Sequence, residues 1–141
     1  MMKDNYTGQP NGRDVKTSPC SRAFQAFRSA FEDGDTTDFL ALATEEFHFS
    51  IPLPYDDWKD KQVGKQRFKE LVSFEREVLR VKLTPLIVLY DLHFEVVVFQ
   101  AEGTLNKQPY RNELTVVFEF EGDQIKSFKE FVGMPLKSYE N

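Results

Sequence analysis

The chain has 141 residues, with 18 Lys+Arg against 23 Asp+Glu and a formal net charge of -5. A single domain of this length buries about two-thirds of its unfolded surface and needs no metal or disulfide to fold, and its acidic balance argues against the phosphate grip of a nucleic-acid binder. One cysteine (Cys20) excludes an intrachain disulfide and a thiolate zinc cage, two histidines (His48, His93) leave little for a histidine-rich metal site, and no apolar run of about 18 residues offers a membrane span.

The unusual number is phenylalanine, 14 of 141. That much aromatic carbon either fills a solid core or lines a hole. Residues 1–18 hold too little apolar surface to offset the entropy of ordering, and they read as a flexible tail ahead of one domain, 19–141. The tail lacks the apolar stretch of a secretory signal, so a cytoplasmic location is expected.

Ser18-Pro19 opens a helix. Phe24, Phe27 and Phe31 follow at helical spacing, and Gly34 closes it. A second short helix is expected over Thr37–Ala43. Residues 45–53 alternate, with Phe47, Phe49, Ile51 and Leu53 on one face and His48 and Ser50 on the other, which is a one-sided strand. Pro52 and Pro54 end it, and YDDWKDKQ reads as a polar loop. Residues 64–79 form a helical pattern whose buried stripe runs through Phe68, Leu71, Val72, Phe74 (or Glu75), Val78 and Leu79.

Three longer strands follow: Val81–Tyr90, Phe94–Leu105 turning at Asn106-Lys107, and Pro109–Glu121. Pro85 marks an edge or a bulge in the first of them. Gly122-Asp123 turns the chain into a last strand, Gln124–Val132. The four are expected to be antiparallel. Three helices segregated ahead of a curved sheet give an α+β fold, a cone-shaped half-barrel with the helices over its concave face.

The segments AFEDGDTTDFLALATEEFHFSIP, VGKQRFKELV and YRNELTVVFEFEGDQIKSFKEF resemble the nuclear transport factor 2-like superfamily, and within it the SnoaL-like polyketide cyclases and the phenazine-biosynthesis A/B-type proteins. The resemblance covers about residues 20–135 and implies a deep pocket. Ketosteroid isomerases of this superfamily use a tyrosine, a carboxylate base and a second acid. Alignment through the Gly34-Asp35 turn puts apolar Phe27, Ile51 and Val116 at those positions, so that reaction is not expected. The SnoaL-like members carry an acid/base carboxylate five residues after the isoleucine of the G-x-I turn. Here that isoleucine is Ile125 and the fifth residue on is Glu130.

Glu130 also has a physical case. A carboxyl group facing an apolar cone loses hydration and its pKa rises toward neutrality, where it can give or take a proton. A water-facing edge glutamate beside Lys126 and Lys129 is the bland alternative. Tyr110 and Asn112 share the apolar face of their strand with Leu114, Val116 and Phe118. They are expected to orient a ligand oxygen or else to satisfy the core. Phe27, Phe49, Ile51, Leu114, Val116 and Phe118 are expected to form the dry wall. Trp58 and Tyr55 offer a lid and Asp56 or Asp57 a second acid, or the segment is a solvated loop with one anchoring tryptophan. His48 has the parity of the opposite face. His93 lies at a turn and would reach Glu130 only if strand ends meet. No third ligand accompanies the aspartates and no glycine-rich phosphate loop occurs, so neither a metal nor a cofactor is implied.

Two functions fit. One is an isomerase, cyclase or dehydratase-type enzyme using acid/base chemistry on a small apolar, neutral substrate, as in secondary metabolism. The other is a non-catalytic ligand-binding or interaction domain. The strand Phe94–Ala101 is apolar on both faces, which calls for a cover and leads us to expect a homodimer through the sheet.

Overall fold

The computed structural model describes residues 19–133, and the expected tail, 1–18, lies outside them. Helix α1 (Pro19–Arg28) passes directly into one π-helical turn (Ser29–Asp33) where a continuous helix was expected. Gly34 ends that turn in the left-handed region, at a φ of +80°, and its N–H donates to the Ala30 carbonyl at 2.9 Å. A side chain at that φ would be strained, so glycine is required. Helix α2 covers Thr37–Leu42 and α3 covers Lys65–Arg76.

Six strands form one open sheet: β1 (Ala43–Ser50), β2 (Gln62–Val63), β3 (Leu79–Tyr90), β4 (Phe94–Leu105), β5 (Gln108–Glu121) and β6 (Gln124–Val132), in the order β2-β1-β6-β5-β4-β3. The expected boundaries of β4 and β6 match those observed. The four long strands pair antiparallel, and β1 adds to β6 in parallel, with His48 opposite Ser127 and Phe49 opposite Phe128. β3 is an edge strand and its register shifts between Pro85 and Ile87. Proline lacks the N–H that an interior ladder position needs, so edge and bulge occur together. Gly103 of β4 lies opposite Val81, where a Cβ would collide with the Arg80 carbonyl oxygen. The bare glycine lets two strands approach closely at that point.

The loop expected over YDDWKDKQ runs into the short strand β2 at its last residue, Gln62. Gln62 is buried there. Its Nε2 donates to the carbonyls of Asp57 and Asp60 at 3.0 and 2.8 Å, and its Oε1 accepts from Arg67 Nε at 2.8 Å. Two residues are too few to show an alternation, which is why the sequence reads as loop.

The helices cover the concave face of the sheet as an α+β cone, and the core lies between the two layers. Phe39 stacks on Phe68 at 4.3 Å between centroids, and Phe49 stacks on Phe128 at 5.1 Å. Phe27 meets Phe118 and Phe128 edge-on at 5.6 and 5.5 Å. Edge-to-face and offset pairs at such distances add about 0.5–1.5 kcal/mol each beyond simple burial. Phe49 and Phe118, expected in the wall of an open cone, are instead buried against other rings, as are Phe47, Phe120 and Phe128. Much of the aromatic carbon therefore fills a solid core.

Glu32 ties the helical layer to the sheet edge. Its Oε2 accepts from the Leu83 N–H of β3 at 2.6 Å, and its backbone carbonyl accepts from Arg76 Nη1 at 3.1 Å. Among the described residues no helix is long and apolar enough to cross a membrane.

Candidate functional site

The ends of the helices, the loop after β1 and the inner side of β3–β6 line a half-open cavity of about 280 Å³. That lies just below the usual range for small-molecule sites. Most of its wall is apolar, built by Phe27, Phe31, Leu83, Phe99, Ala101 and Leu114. Its polar lining comes from Glu75 and Arg76 at the end of α3, Tyr110 on β5, Glu130 on β6, and Tyr55 in the loop after β1.

β5 and β6 bring Tyr110 and Glu130 to one cavity because both lie on the inward face of their strands, with Glu130 opposite Val116. Among the described residues no donor or cation pairs with the Glu130 carboxyl group. Loss of hydration pushes its pKa up, and the nearby Glu75 charge adds to the effect, to about 8. Burial likewise raises Glu75 to about 7. Burial raises the Tyr110 phenol, with smaller contributions from the Glu130 and Glu75 charges, while its bond to Asn112 opposes the shift. Asn112 is buried beside it. Its Nδ2 donates to the Tyr110 hydroxyl at 3.2 Å, and its Oδ1 accepts from the Glu113 N–H at 2.8 Å.

The wall differs from the expected one. Phe27 and Leu114 line the cavity, while Phe49, Ile51, Val116 and Phe118 are buried in the core and do not reach it. Asn112 touches Tyr110 and also lies off the lining. Alternation assigns a face of a strand, but the helices pack on that same face, so facing inward is not the same as facing a void. Trp58 is a buried anchor and not a lid: the Arg67 guanidinium sits 4.0 Å over its ring and Phe74 packs at 5.8 Å. Tyr55 does sit at the cavity, against Phe74. Asp56 pairs with Lys59 in solvent, and neither it nor Asp57 lines the cavity.

The second carboxyl is Glu75 instead. It lies four residues after Leu71 and three after Val72, both buried, so helical spacing turns it inward. That spacing was available as a signal in the sequence.

His48 lies on the outer sheet face, in a separate groove with Lys61, Ser127 and Lys129. Burial first, then the Lys61 charge, lowers its pKa. The His93 carbonyl accepts from the Phe120 N–H at 2.8 Å, and Phe120 pairs with Ile125, so His93 sits near the far end of β6 from Glu130. The Cys20 side chain lies outside the described residues. Among the described residues no group of three or more His, Cys, Asp or Glu is placed to hold a metal.

No protein-family model and no curated protein matches the chain. Solved structures do. An NTF2-like protein from Anabaena variabilis ATCC 29413 is 25% identical over 89% of this chain and 96% of its own, with a TM-score of 0.75. An isomerase candidate from Rhodopseudomonas palustris is 13% identical over 82% and 90%, with a TM-score of 0.71. The epoxide hydrolase/cyclase-like enzyme SalBIII, of pyran ring formation in the polyether salinomycin, is 20% identical over 82% and 91%, with a TM-score of 0.67. Fold and cavity thus define a class, an α+β cone around an apolar pocket. The chain belongs to the nuclear transport factor 2-like superfamily.

Proposed function

We propose that the protein is an enzyme of the isomerase, cyclase or dehydratase type that moves protons on a small, neutral, apolar substrate. Glu130 acts as general acid/base and Tyr110 orients a substrate oxygen. One observation carries this reading: the Glu130 carboxyl group lines a largely apolar cavity and has no hydrogen-bond or ion-pair partner among the described residues. Its pKa, raised to about 8, makes proton gain and loss accessible near neutral pH. The isomerase and cyclase-like neighbours share the fold and are compatible with such chemistry. In this reading the protein works in the cytoplasm.

Ring opening of benzisoxazole tests it. This neutral apolar molecule opens when a base removes its one acidic C–H proton. Wild-type protein should accelerate the opening, and Glu130→Gln should cut the acceleration at least about tenfold. Equal rates for the two would overturn the reading.

The outer sheet face favours a homodimer as part of the same proposal. Leu89, Val96 and Val117 form one row across β3, β4 and β5, and Ile87, Val98, Thr115 and Phe131 form the next across β3 to β6. Leu89, Ile87 and Phe131 are exposed. An exposed apolar surface of this kind suits a second copy as its cover.

A further inference from the structure

Glu75 and Glu130 reach the cavity from opposite layers. Glu75 stands on the last turn of α3, and Arg76 fastens that turn through its bond to the Glu32 carbonyl. Glu130 stands on β6, opposite Val116. The other titratable or charged groups lining the cavity are Tyr110, Tyr55 and Arg76. The Arg76 guanidinium is committed to Glu32, and no cation pairs with either glutamate among the described residues. Two carboxylates in one apolar cavity repel, and a single shared proton relieves the repulsion.

We propose that Glu75 is a second acid/base group and forms with Glu130 a pair holding one proton, so that one carboxylate takes a proton from the substrate while its partner, as the acid, gives one. This rests on the acid/base reading above and extends it. In such a step a substrate C–H bond breaks and its proton passes to the carboxylate. The electron pair enters a new multiple bond. The O–H bond of the acid breaks, and its proton joins the oxygen that the electrons reach. The pair still holds one proton, now on the other member, so no co-reactant is needed. A pair with one negative charge disfavours anionic ligands and suits a neutral substrate bearing a carbonyl, hydroxyl or ring oxygen.

Carbon-13 NMR of the glutamate side-chain carboxyl carbons in the full chain, titrated with acid and base, tests the pair directly. In wild-type protein the Glu75 and Glu130 signals should each show both steps of a shared titration. Glu75→Gln should move the Glu130 midpoint to lower pH, because the like charge is gone. With benzisoxazole, wild-type protein should give a bell-shaped pH-rate profile, and either single Gln variant should lose one limb and about tenfold or more in rate. A Glu130 titration unaltered in Glu75→Gln, with its activity intact, overturns the pair but leaves Glu130 as the acid/base group. Full activity in Glu130→Gln overturns both. If a variant does not fold, the wild-type titration decides alone: independent single-step curves for the two glutamates overturn the pair.

Discussion

The Tyr110 hydroxyl accepts a hydrogen bond from Asn112 Nδ2 at 3.2 Å, while Asn112 Oδ1 is held by the Glu113 N–H. The second bond fixes which way the amide points, and the first leaves the phenolic proton free to be donated within the cavity. Tyr110→Phe should keep the fold and reduce benzisoxazole turnover several-fold, since one hydrogen bond contributes about 0.5–1.5 kcal/mol. Asn112→Ala should destabilise by about 1–3 kcal/mol in denaturant unfolding, because it leaves the partly buried Glu113 N–H without its acceptor.

Glu95 gives a stability prediction with a defined sign. It lies on the inner face of β4, 1% exposed, and its Oε1 has no hydrogen-bond partner. Burial pushes its pKa up to about 8. A carboxyl raised above its unfolded value contributes stability that is fully present below the unfolded pKa and is lost as pH rises through the folded one. The protein should therefore lose stability between about pH 4.5 and pH 8, a window to which the raised Glu75 and Glu130 also contribute. Glu95→Gln should flatten this dependence, by on the order of 3 kcal/mol at pH 9. Urea unfolding at pH 4, 6, 7 and 9 reads it; parallel curves for the two proteins would count against it.

The aromatic core should be the most sensitive part of the fold. Phe68 is fully buried and meets the rings of Phe31, Phe39, Phe47, Phe49 and Phe128. Phe68→Ala should cost about 3–5 kcal/mol in denaturant unfolding. Phe74 lies at the cavity and is partly exposed, so Phe74→Ala should cost clearly less.

Leu89→Arg should test the outer face without touching the cavity. Leu89 is exposed and opposite Val96 on the sheet. Light scattering should give a dimer for the wild-type protein and a monomer for the variant, with near-equal thermal stability of the monomer fold at low concentration. A wild-type monomer at high protein concentration would contradict the interface.

The order of helices and strands was readable because alternation and turn residues are local signals. β4 ends and β6 begins where Asn106-Lys107 and Gly122-Asp123 place the turns. The parallel docking of β1 on β6 joins segments about 80 residues apart, and no local pattern records it. Tyr110 and Glu130 were legible by face and position. The wall was legible only in part, since Phe49 and Phe118 share the inward face with Tyr110 yet lie where helices pack. Glu75 required reading a carboxylate on the buried stripe of α3 as a cavity residue instead of an interruption of that stripe.

The most direct measurement is the rate of benzisoxazole ring opening at pH 7 by wild-type protein and by Glu130→Gln, with folding of both checked by thermal unfolding. Acceleration by the wild type that falls at least about tenfold in the folded variant is the expected result. Acceleration of the same size in both proteins would contradict the assignment of Glu130 as the acid/base group.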